Sequence, residues 1–119
     1  MRVLVVGGGI GGLACAIGLR KVGHEPIVLE QASALGFVGQ GIGLGANATK
    51  ALRFLGASEA VHERAVRTVG WAYFGLADGA PQFNVPIGDR YGGEEYISTH
   101  RADLLDALVA QLTPSDMRL

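Results

Sequence analysis

Residues 3–20 read VLVVGGGIGGLACAIGLR. An apolar run meets five glycines, and a helix-like pattern follows. Residues 2–6 (RVLVV) have the pattern of a strand buried on both faces of a parallel sheet. Residues 11–22 read as a helix with Leu13, Ala14, Ile17 and Leu19 on its apolar face. Arg20 and Lys21 occupy the last turn, and Gly23 stops it. Residues 26–29 (PIVL) are a second strand, closed by Glu30. This is a βαβ unit, whose crossover is right-handed by rule.

Gly7, Gly9 and Gly12 match G-x-G-x-x-G, and each spacing has a mechanical meaning. The first glycine permits the tight strand-to-helix turn. The second lets a pyrophosphate approach the backbone, and the third lets the helix pack closely on the strand. The helix N-terminus then offers free N–H groups and a positive dipole end to phosphate. Glu30 stands about 20 residues after the first glycine, where a carboxylate accepts hydrogen bonds from ribose hydroxyls. The same charge repels a 2′-phosphate, which disfavours NADP in this cradle. FAD and NAD both remain open on these residues alone.

Composition sets the outer bounds. The chain has 119 residues, the size of one domain, with 49% hydrophobic and 18% charged residues, as in a soluble globular protein. A net charge of -1 leaves no electrostatic footprint for nucleic acid or an anionic membrane. No stretch has 18 or more apolar residues free of charge, so no membrane span is expected, and no signal peptide is recognised, so a cytoplasmic setting is expected. The single cysteine, Cys15, rules out an intramolecular disulfide and reads as a small buried helix residue. Glycine makes up 19 residues, about twice the background share of ~7%, concentrated in residues 7–12 and 36–45.

Beyond the βαβ unit, residues 47–55 (NATKALRFL) resume helical spacing, with Asn47 as N-cap and Gly56 as stop. Residues 58–64 add a short helix. Residues 67–77, 82–87 and 95–99 are aromatic and β-branched, separated by turns at Asp78-Gly79 and Gly88-Asp89, and read as an antiparallel meander. Alternate residues among Trp71, Tyr73 and Phe74 are expected to face a core. Residues 101–112 (RADLLDALVAQL) form a periodic helix with Leu104, Leu105, Leu108 and Leu112 on one face. Arg101 opens that helix, a position unfavourable for a cation unless an anion is near. His24 and His62 stand without a ligand set, so no metal site is expected.

Residues 39–48 (GQGIGLGANA) and 99–105 (THRADLL), taken with the cradle and Glu30, strongly resemble the FAD-dependent aromatic-ring monooxygenases, the class of salicylate and hydroxybenzoate hydroxylases. The resemblance implies an α/β fold: a Rossmann-like βαβ FAD-binding unit of the GR2 type with an inserted antiparallel β meander. It implies that Gly39, Gly41, Ile42 and Leu44 pass near the flavin, and that Arg101 reaches the FAD phosphates or ribityl chain. The implied cofactor contacts fall on Gly7, Gly9, Ile10, Gly11, Gly12, Glu30, Gln31, Gln40, Gly41, Ile42 and Arg101. No catalytic residue is assigned. The family reaction hydroxylates a small aromatic substrate with NAD(P)H as transient reductant and O2.

Family members are more than three times this long. The chain therefore reads as an N-terminal fragment, inactive alone, whose last residues begin another strand. Residues 1–66 and 99–119 would be part of the FAD domain, and 67–98 the first strands of the substrate-domain sheet. An open sheet edge favours a homodimer or swapped elements. Two alternatives are another Rossmann-type flavoprotein resembling the amine oxidases and a non-catalytic dinucleotide-binding module. The Asp78-Gly79 pair lacks the strand-then-helix context of the family's later FAD motif and reads as a hairpin turn.

Overall fold

A computed structural model of the chain describes residues 1–33, 40–87 and 95–119. Strand β1 (Arg2–Val6) leads into helix α1 (Ile10–Lys21), which returns the chain to β2 (Glu25–Leu29). The two strands pair in parallel from Arg2 opposite Glu25 to Val6 opposite Leu29. After this unit come β3 (Gly41–Leu44), α2 (Ala46–Leu55), α3 (Ser58–His62), β4 (Val66–Arg67), β5 (Gly70–Phe74) and β6 (Pro81–Pro86). Then β7 (Ile97–His100), α4 (Arg101–Val109), a 3-10 turn at Pro114–Asp116 and β8 (Met117–Arg118) complete the order. Among the described residues three sheets form: parallel β1-β2-β8, antiparallel β3-β7-β4, and the hairpin β5-β6.

One apolar core joins the first two sheets. Leu13 and Ile17 of α1, Leu52 and Leu55 of α2, and Leu104, Leu105 and Leu108 of α4 meet Leu44 and Ile97 of the strands. The predicted leucine face of α4 is thus correct, although the helix ends at Val109 and Leu112 packs from the following turn. Helix α2 stops at Gly56, whose φ of +85° is open to glycine at little cost. The 3-10 turn before β8 carries a Thr113–Asp116 capping box. The Arg20 guanidinium reaches Asp116 Oδ2 at 2.8 Å, which ties the end of α1 to the start of β8.

Several sequence expectations change. The three meander segments do not lie side by side. β5 and β6 pair with each other, whereas β7 pairs with β3 (Gly41 opposite His100) and with β4. The reason is face matching. β7 buries Ile97 and Thr99 and β3 turns Ile42 and Leu44 inward, while β6 is exposed along most of its length. β1 is not buried on both faces: Leu4 and Val6 are 62% and 84% exposed, because α1 covers only the opposite side. Trp71, Tyr73 and Phe74 likewise stay exposed. Cys15 is exposed rather than buried, since α1 turns Leu13, Ala16 and Ile17 inward. The N-cap of α2 is Gly45, so Asn47 lies inside the helix.

The Asp78-Gly79 hairpin turn is present. Gly79 has φ +66°, and Asp78 Oδ1 accepts the Ala80 N–H at 3.0 Å. The Gly88-Asp89 turn lies outside the described residues. The radius of gyration is 17.1 Å with extents of 55 × 32 × 21 Å. A compact chain of this length would have a radius near ~13–14 Å. Among the described residues β5 and β6 form a two-stranded sheet separate from the other two sheets.

Candidate dinucleotide site

The cradle is built where β1 meets α1. Gly7 takes φ +101°, which turns the chain off the strand, and its N–H donates to Leu29 O at 2.7 Å. Gly9 is the N-cap of α1 in extended conformation, with no side chain capping the helix. Among the described residues, a Cβ on Gly9 or Gly11 would meet no atom within 4 Å outside its own helix and chain neighbours. No described residue outside α1 and the glycines' chain neighbours closes off the space above these glycines, as a pyrophosphate requires. Gly12 differs: its Cβ would overlap the Gly7 carbonyl oxygen. The three glycines thus do three different jobs: turn, approach and packing. Ile10, the first residue of α1, packs against the core instead of facing outward.

Glu30 closes the cradle from the end of β2. Its Oε2 accepts the Gly8 N–H at 2.7 Å and its Oε1 accepts the Ala32 N–H at 2.9 Å. These donors from Ala32 and Gly8 hold its carboxyl below the usual carboxylate range. A carboxylate has about four acceptor positions, so two bonds leave capacity for ribose hydroxyls. The Gly8 contact was not foreseen from sequence, where Gly8 is the unassigned middle of a triple glycine. Gln31 follows on the surface.

The second group of residues meets through sheet pairing. Gly41 lies opposite His100 and Ile42 opposite Thr99. One step beyond the register, the Arg101 N–H donates to Gln40 O at 2.9 Å. Two stretches some 60 residues apart in sequence are thereby joined at the start of α4, whose first turn has no side-chain cap. Among the described residues the Arg101 guanidinium has no hydrogen-bond or ion-pair partner. Gln40 is exposed, and among the described residues a Cβ at Gly41 would meet nothing within 4 Å. Gly39 lies outside the described residues. Ile10, Leu44, Leu104 and Leu108 line one apolar cavity of about 120 Å³, so α1 is packed directly on the β3–α4 unit. Leu44 is accordingly a core residue at 7% exposure. Among the described residues no group of three metal-ligating side chains occurs.

A glycine-backed α-helix start, an open approach and a hydrogen-bonded carboxylate fit a dinucleotide. The comparisons with known proteins agree. The model of the NAD(P)-binding Rossmann-like domain matches residues 5–69. The 3-hydroxybenzoate 6-hydroxylase of Klebsiella oxytoca is 39% identical over 108 residues, covering 87% of this chain and 27% of that protein. The salicylate hydroxylase of Pseudomonas putida is 40% identical, covering 94% of this chain and 26% of that protein. Among solved structures, the tetrameric form of 2-methyl-3-hydroxypyridine-5-carboxylic acid oxygenase superposes with a TM-score of 0.84 at 27% identity. It covers 98% of this chain and 30% of that one. CtdE in complex with FAD and a substrate also gives a TM-score of 0.84, at 26% identity, covering 99% and 29% of the two chains. The chain spans about a quarter of the length of the two curated relatives.

Proposed function

The chain belongs to the NAD(P)-binding Rossmann-like domain family, and from that premise we propose that it is the FAD-binding N-terminal portion of an aromatic-ring monooxygenase. The observation that carries this reading is the Arg101 N–H bond to Gln40 O, which places a guanidinium without a partner among the described residues beside an uncapped helix start. That arrangement suits the phosphates or ribityl chain of FAD. Similarity to 3-hydroxybenzoate and salicylate hydroxylases supports the assignment to this reaction class.

In this reading Gly7, Gly9, Ile10, Gly11 and Gly12 hold the pyrophosphate against α1. Glu30, with Gln31 beside it, takes the adenosine ribose. Gln40, Gly41 and Ile42 border the flavin, and Arg101 neutralises phosphate charge. FAD, when bound, supplies reduction by NAD(P)H and activation of O2 toward a small aromatic substrate. The chain itself binds and orients; the residues in hand include no proton donor or acceptor assigned to the ring chemistry. Residues 1–66 and 99–119 form part of the FAD domain, and 67–98 carry the first strands of a substrate-domain sheet. No described helix is long and apolar enough to cross a membrane, and we place the protein in the cytoplasm.

Calorimetric titration of FAD into the chain and into Arg101→Ala tests the assignment. Loss of a charge-assisted contact predicts about tenfold weaker binding or more. Equal affinities would remove Arg101 from the site.

A further inference from the structure

The face of β3 opposite the core bears no side chains: Gly41 and Gly43 alternate with the inward Ile42 and Leu44, and Gly45, the N-cap of α2, follows. Among the described residues an added Cβ at Gly41 would meet nothing within 4 Å, whereas one at Gly43 would not fit. A Cβ on Gly43 would overlap the Tyr96 hydroxyl and stand 3.0–3.1 Å from Cε1 and Cζ of that ring. A Cβ on Gly45 would stand 3.3 Å from Asn47 Oδ1 and in ordinary contact, at 3.7–3.8 Å, with Cε2 and Cδ2 on the other edge of the ring. The Tyr96 ring therefore lies across the Gly43–Gly45 backbone. The Trp71 indole of β5 meets the same ring edge-on, with centroids 5.5 Å apart and planes at 87°. Behind it, Tyr96 O accepts the Thr68 N–H at 2.8 Å. One side chain thus touches the glycine strand and the hairpin, and it stands just before the strand that leads to Arg101.

We propose that Tyr96 is a positioning residue that sets the β5–β6 hairpin against the Gly41–Gly45 strand, and that Gly43 is glycine to admit its ring. This rests on the functional reading above only for its consequence: the strand would border the flavin and the hairpin would begin the substrate-domain sheet. The contact itself is independent of any ligand. Aromatic edge-to-face packing of this kind couples two elements with defined angle as well as affinity.

The test is a double-mutant cycle on the ligand-free chain, read by Trp71 emission, since Trp71 is the sole tryptophan. Gly43→Ala displaces the ring and should red-shift Trp71 emission, and Tyr96→Ala should do the same. Once Tyr96 is alanine, adding Gly43→Ala should change emission no further, and its cost to the melting temperature should shrink. If Gly43→Ala alone does not fold, recovery of a cooperative melt in the double variant supports the clamp. Additive effects, no emission change in Gly43→Ala, or no recovery would overturn it. A separate FAD titration of the unmodified chain tests the functional reading, so the two can fail independently.

Discussion

At the scale of single residues, the cradle makes sharp demands. Gly12→Ala forces a Cβ into the Gly7 carbonyl, and both atoms are backbone. The expected cost is about 1–3 kcal/mol in stability, with loss of dinucleotide binding, checked by denaturant melts and ligand titration. Glu30 gives a pH prediction. Its folded-state pKa is lowered by the Ala32 and Gly8 amides, so its contribution is present above the ordinary carboxylate range. That contribution is lost as pH falls through the lowered value. The Gly8 amide resonance should shift across that acidic window, and in Glu30→Gln the transition should vanish; a transition that persists would assign it to another group. Thr99 points the other way. Among the described residues its buried hydroxyl has no hydrogen-bond partner, on a residue only 6% exposed. Thr99→Val should therefore be neutral or stabilising by about 1 kcal/mol, and a clear loss in the chemical melt would show that the hydroxyl is satisfied.

At the scale of elements, local chemistry was readable and distant pairing was not. The βαβ unit, the glycine stop of α2, the hairpin turn at Gly79 and the leucine face of α4 follow from spacing and turn residues. The partner of β7 does not, because its four residues carry no signal that selects β3, more than 50 positions earlier, over its chain neighbour β6. For the same reason Gln40 and Arg101 could be suspected separately, but their hydrogen bond could not be read. Tyr96 and Gly8 were missed since their roles are contacts rather than motifs. The link between α1 and β8 is another such contact. Burial pushes the Asp116 carboxyl up, but the Thr113 N–H and hydroxyl and the Arg20 guanidinium outweigh it and hold it below its ordinary value. Asp116→Ala removes the box and the ion pair together. About 1 kcal/mol of destabilisation is expected from the lost cap, most of it retained at high salt because the Arg20 pair is partly exposed.

At the scale of the whole molecule, several large apolar side chains stand in solvent. Leu4 and Val6 on the bare face of the parallel sheet, and Phe74, Leu76 and Phe83 on the hairpin, are all more than half exposed. Surfaces of that kind seek cover, and we expect the isolated chain to form a homodimer; light scattering after size exclusion should give twice the monomer mass, and a stable monomer would contradict this. We propose, more narrowly, that the glycine turn, Glu30 and the Gln40–Arg101 junction together hold FAD. The most direct measurement is the visible absorbance of the purified chain dialysed against FAD with NAD in excess. The expected result is a yellow protein retaining about one flavin per chain, unaffected by NAD. A colourless chain that retains NAD instead, or neither nucleotide, would contradict the account.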